Sequence, residues 1–181
     1  MSLIAGNLGV VQRLLDAEGL VWAVCAGAAA HLYGQRRPLQ DVDLLVAAGK
    51  LSDVVRLLQS QNRVVQFDGQ RILWRGIKFF DDISIRKPSG NYPFVIDDPM
   101  RQRMQRLSLL GSVVSVLPPE DVVLHKLLLD RGAEQGKHDR VDAAGIIRRQ
   151  QLDLDYMRLR SQAMRLNGIL DSALQEYGIT L

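Results

Sequence analysis

Asp41 and Asp43 stand two residues apart at the head of the apolar run Leu44-Leu45-Val46. Alternate residues of an extended strand share a face, so both carboxylates project to the same side. Like charges that close repel each other unless a cation lies between them. Two carboxylates completed by phosphate oxygens form a usual setting for magnesium. Upstream, Ala26-Gly27-Ala28 reads as a tight turn into a short helix, whose first amides, at Gly27 and Ala28, are suited to phosphate oxygens. Arg36 and Arg37 add positive charge between the two segments. A third carboxylate is available on Lys78–Ile85. Read as one strand, that run puts Phe79, Asp81, Ile83 and Ile85 on one face and Phe80, Asp82 and Ser84 on the other. An acid among isoleucines needs a buried partner, which favours Asp82 for an open cleft and leaves Asp81 as the alternative.

The elements that must hold these groups follow from periodicity. Leu8, Val11, Leu14 and Leu15 predict a first helix ending near Glu18-Gly19, and Val21–Ala26 a strand entering the Gly27 turn. A helix over Ala28–Tyr33 closes at Gly34. Asp41–Val46 is the second strand, and Lys50–Gln59 a helix with Leu51, Val54, Val55 and Leu58 on one side. Short strands are expected at Arg63–Gln66, Ile72–Trp74 and Lys78–Ile85, with a turn at Asp68-Gly69 and a bend at Gly76. Arg86–Pro99 reads as a loop or flap whose Tyr92 and Phe94 are able to meet a base. Gln102–Leu110 fits either a helix or a short edge element. From Pro118 the period is helical: Glu120–Arg131, Arg140–Arg149 and Leu154–Tyr177. The expected architecture is α+β, a mixed sheet flanked by helices over residues 1–117, followed by a helical lobe over 118–181.

Composition narrows the function classes. The 181 residues are 47% hydrophobic and 24% charged, enough to bury one sizeable core. The apolar run Gly19–Ala30 is too short to span a bilayer, and no basic segment precedes an apolar one at the start. Cys25 lies within that run and reads as a small buried hydrophobe. A cytoplasmic setting without membrane contact is therefore expected. The formal charge is +3, and 18 of the 23 basic residues are arginines, whose planar fork suits phosphate. No polybasic tail is present, so a phosphate-bearing small ligand fits the charge as well as a polymer does. His31, His125 and His138 are too scattered for zinc spacing, and Trp22 and Trp74 read as core.

The Gly27-Ala28 turn, Gly34, Arg37 and Asp41-Val42-Asp43-Leu44, followed by Asp82-Ile83, resemble the nucleotidyltransferase superfamily typified by DNA polymerase beta. The nearest branch is a compact bacterial one, similar to AbiEii-type toxins and antibiotic nucleotidyltransferases. Pro118-Pro119-Glu120-Asp121 through Lys126 to Arg131, and then Lys137-His138-Asp139-Arg140-Val141-Asp142, resemble the helical part of that branch. The resemblance covers about residues 20–150. It implies that Asp41, Asp43 and Asp82 hold magnesium and act in catalysis, with Asp82 nearest the acceptor and relaying its proton. It also implies that Gly27, Ala28, Arg37 and Lys126 bind a nucleoside triphosphate. An acceptor hydroxyl on a small molecule, tRNA or protein would attack the α-phosphorus and release pyrophosphate. Two positions depart from the pattern, Ala28 and Leu39, where many relatives carry glycine or serine and serine or threonine. They keep open a catalytically silent form acting as an interaction or toxin–antitoxin component, with a protein partner.

Overall fold

The computed structural model describes residues 3–61 and 64–181. Helix α1 (Leu3–Ala17) buries Leu8, Val11 and Leu15, one stripe at helical spacing. Strand β1 (Trp22–Val24) is buried throughout and leads into α2 (Ala26–Leu32). The second strand, β2 (Val42–Val46), pairs antiparallel with β1, and α3 (Leu51–Gln59) follows it. Three further strands, β3 (Gln66–Phe67), β4 (Ile72–Trp74) and β5 (Ile77–Phe80), extend the sheet beyond β2. On the other side β1 is bordered by β9 (Ser112–Val116) and then β8 (Gln105–Leu109). The seven-stranded sheet runs β3-β4-β5-β2-β1-β9-β8, with β2–β5 and β1–β9 parallel and the other pairs antiparallel.

Between β5 and β8 the chain makes a separate hairpin, β6 (Ile85–Lys87) with β7 (Gly90–Tyr92), and the short helix α4 (Asp98–Arg103). The Asp97 carboxylate caps α4 by accepting the Met100 amide at 3.0 Å. The C-terminal helices are α5 (Pro119–Leu129), α6 (Asp139–Arg149), α7 (Leu154–Ala163) and α8 (Asp171–Gln175). Ten of the eleven residues of α5 are buried, charged ones included, so this helix is interior on every side. No helix among the described residues is long and apolar enough to cross a membrane. The architecture is the expected mixed sheet flanked by helices, with a helical lobe at the C-terminal end.

Several elements depart from the expectation. The expected strand Lys78–Ile85 ends at Phe80, and its last residue, Ile85, begins a different sheet. The expected loop 86–99 contains the β6–β7 hairpin and the start of α4, with Tyr92 and Phe94 both buried. Within 102–110, α4 ends and β8 begins. The expected helix Leu154–Tyr177 is interrupted after Ala163, where Arg165 and Asn167 take positive φ. The short strand expected at 63–66 lies at Gln66–Phe67; residue 63 is outside the described residues.

Candidate active-site cleft

Strand β1 ends beside the head of β2: the Cys25 amide donates to the Asp43 carbonyl at 2.9 Å. This bond sets the first turn of α2 next to the two aspartates. Residues of both elements line a cleft of about 510 Å³, including Ala26, Gly27, Asp41 and Asp43. The opposite wall comes from the helical lobe, with Lys126, Arg131, Lys137, His138 and Asp139, while Arg37 reaches in from the connection between α2 and β2.

Asp43 is half-buried, with 22% of its side chain exposed, and its carboxylate accepts no hydrogen bond from the described residues. Burial raises its pKa, and the neighbouring Asp41 raises it further; Lys78, Lys126 and Lys137 partly offset this. Asp41 is bonded to the Lys78 ammonium, which also lies 4.0 Å from Asp43. Lys78 owes this place to strand pairing. It sits on β5 directly beside Asp43, in a row that continues across the sheet through Leu73 to Gln66.

Lys126 is buried at 5% exposure and divided between two acids, with Nζ 2.6 Å from Asp139 Oδ1 and 2.9 Å from Asp142 Oδ2. Arg131 Nε donates to the other Asp139 oxygen at 2.6 Å, and Arg37 faces Asp142 through two contacts of 3.4 Å. Burial opposes ionisation of Asp139, but Arg131 and Lys126 outweigh it and hold the pKa below its usual value. Three cations are thus threaded on two carboxylates along the lobe side. Lys137 makes no salt bridge with the described residues.

Gly27 leaves room for Arg37. A Cβ on Gly27 would lie 2.5 Å from Arg37 Nη2, so the guanidinium rests on the first turn of α2. Ala26 opens that helix at φ +50, a conformation strained for a residue with a side chain. Ala28 is buried, and Leu39 packs against the core. His125 is buried, its Nε2 3.0 Å from the Ile83 carbonyl and its ring 4.5 Å from that of Phe94.

The structure therefore brings together Gly27, Arg37, Asp41, Asp43 and Lys126. It does not bring Asp82 to them. Past the end of β5, the Asp82 carboxylate turns back to accept the Ser84 amide at 2.7 Å, while Asp81 accepts the Gly49 amide at 2.9 Å. Both line a separate hollow with Ser84 and Arg86. The expected alternation of faces failed because the chain leaves the strand at Phe80, before either acid. Among the described residues, no group of three or more His, Cys, Asp or Glu side chains is placed to share a metal ion. Lys78 was not foreseen, since its role depends on a register between strands that local spacing does not carry.

Three solved structures superpose on most of the chain. The antibiotic-resistance factor ANT(2'')-Ia superposes with a TM-score of 0.56 at 11% identity, covering 96% of each chain. An antigenic nucleotidyltransferase-like protein from Paracoccidioides brasiliensis gives 0.51 at 18% identity, covering 97% of this chain and 91% of that one. The lincosamide antibiotic adenylyltransferase LnuA gives 0.50 at 14% identity, covering 78% and 94%. This is the nucleotidyltransferase fold. At identities this low the likeness shows the fold alone and distinguishes no branch. At the level of sequence, neither a protein-family model nor a curated protein matches the chain.

Proposed function

We propose that the cleft binds a nucleoside triphosphate and transfers its nucleoside monophosphate to an acceptor hydroxyl. Asp43 carries this reading: a half-buried carboxylate beside a second one, accepting no hydrogen bond from the described residues and opening onto a cleft edged by cations. Burial and the neighbouring charge make the lone anion costly there, and a cation seated between Asp43 and Asp41 relieves both. Two carboxylates fit a magnesium ion whose other ligands are phosphate oxygens and water; they do not fit a pair of ions sharing three protein carboxylates. When bound, magnesium would neutralise triphosphate charge and polarise the α-phosphoryl group.

The chain's own residues supply the rest. Asp41 and Asp43 orient the magnesium-bearing end of the triphosphate. Arg37, resting over Gly27, and exposed Lys137 draw the outer phosphates, while Lys126 ties α5 to α6 through Asp139 and Asp142 and so keeps the lobe wall in one piece. The acceptor oxygen forms a bond to the α-phosphorus, the bond to the bridging oxygen breaks, and pyrophosphate leaves. Asp82 is outside the cleft, so the hydroxyl proton passes to water.

Calorimetric titration with each of the four nucleoside triphosphates, with and without magnesium, tests the reading. Magnesium-dependent binding is expected for the native chain and its loss is expected in an Asp41→Ala/Asp43→Ala double variant. A folded native chain that binds none of the four would overturn it. The position of Asp82 favours a second reading, a silent form that binds nucleotide as part of an interaction or toxin–antitoxin pair. It predicts binding without pyrophosphate release in the presence of any acceptor.

A further inference from the structure

Lys78 gives the cleft a cation of its own. Strand pairing sets it beside Asp43, its ammonium is bonded to Asp41 and lies 4.0 Å from Asp43, and Leu73 flanks it on the next strand. The register of β5 against β2 therefore puts a positive group on the strand next to the aspartate pair, where the resemblance led one to expect a third acid. Two carboxylates and one ammonium leave a net charge of about −1, against about −3 for three carboxylates. A pair of divalent cations balances the second arrangement and over-charges the first. The Asp41–Lys78 pair is also part-exposed, with 41% and 35% of the side chains open to solvent. Part-exposed pairs of that kind are weakly held, so the ammonium yields readily to a better-bound partner.

Resting on the nucleotide reading of this cleft, we propose that Lys78 takes the place of a second divalent ion. It screens Asp41 and Asp43 in the free protein and keeps a bare divalent cation from settling between them. It gives way only to a cation that arrives on phosphates, so the site works with one metal ion. Its three donors and flexible four-carbon stem allow it to turn from Asp41 to a phosphoryl oxygen without moving β5. Lys78 is on this account a specificity-determining residue, selecting the metal–nucleotide complex over free metal.

Manganese serves as a countable probe, read by electron paramagnetic resonance on the full chain, first without nucleotide and then with a nucleoside triphosphate. The native chain and Lys78→Arg should take up little free manganese and at most one ion per bound nucleotide. Lys78→Met should bind free manganese at least about tenfold more tightly, because the repulsion between Asp41 and Asp43 is then unscreened. Lys78→Asp should take a second ion. Circular dichroism checks that each variant is folded. Equal free-manganese affinity in the native chain and Lys78→Met, no uptake by either, or two ions per nucleotide in the native chain would each overturn the proposal. The first titration contains no nucleotide, so it is independent of the wider reading. A gain in Lys78→Met alongside a complete lack of nucleotide binding leaves the screening role standing and sinks the transferase.

Discussion

His125 shows how a residue capable of chemistry can be committed to structure. It is buried under Phe94 with Nε2–H donating to the Ile83 carbonyl, a bond that requires no positive charge. Burial pushes its pKa down to about 4 from the ordinary 6.5. The native chain therefore keeps it neutral across a range in which the unfolded chain takes up a proton. The stabilisation is fully present above about pH 6.5 and is lost as pH falls toward 4, by roughly 3 kcal/mol in all. Urea unfolding at pH 7 and pH 4.5 should show the decline, and His125→Gln should flatten it. A slope unchanged in that variant would assign the acid sensitivity to other groups. Asp43 is the opposite case, a carboxylate raised by burial and by Asp41 but held at the mouth of a cleft where a ligand can relieve it.

At the scale of elements, a second buried charge cluster ties α4, α5 and α7 together. Arg160 is 1% exposed, donates Nε to Asp121 at 2.6 Å and is also bonded to Asp97, while the Tyr156 hydroxyl donates to the second Asp121 oxygen at 2.6 Å. Arg160→Met would leave Asp121 buried with one partner fewer, at an expected cost of about 3–5 kcal/mol in urea unfolding. Isosteric repair with Asp121→Asn in the same chain should recover part of that loss. None of this cluster was legible in the sequence, because its members come from positions 97, 121, 156 and 160 and meet only in space.

What was legible had local causes. The Asp41-x-Asp43 alternation and the apolar helix after Pro118 each depend on residues within a few positions of one another, whereas the turn expected at Gly27 is already the first turn of α2, which begins at Ala26. The β8–β9 hairpin did not declare itself because its turn is Leu110-Gly111, with φ of +51 and +85, where Asn-Gly would have been the usual signal. Lys78 carried no local signal, and Asp82 was expected in the cleft on a strand that in fact ends at Phe80, which leaves the face beside Asp43 to Lys78.

Across the whole molecule, the cleft is closed by two walls that cannot be separated cheaply. Helix α5 is interior on all sides and packs against α2, α6 and α7, so removing the helical lobe would bare the buried side of α2, a helix of the sheet domain. Close approaches reinforce this. A Cβ on Gly145 of α6 would meet the Gln35 side chain at 2.2 Å, and one on Gly34 would meet Arg149 at 2.3 Å. A fragment ending at residue 117 is accordingly expected to lack a cooperative thermal transition, whereas the full chain should melt once, with near- and far-ultraviolet circular dichroism coinciding. Two separated transitions would instead show that sheet and lobe fold independently.

Gly27 has one more consequence. Its backbone does not occupy the left-handed region, so no turn geometry demands glycine there; the demand comes from the Arg37 guanidinium, ten positions later. The close contact falls on the far end of a long side chain, so adding a methyl group at residue 27 would not break the fold but would lever the arginine away from Asp142, which it holds at 3.4 Å. The two positions are epistatic. Gly27→Ala should lower nucleotide affinity in the native background and do little once Arg37 is shortened to alanine, a coupling that a double-mutant cycle reads directly. Among descendants of this chain, a side chain at 27 and an arginine at 37 should rarely be found together.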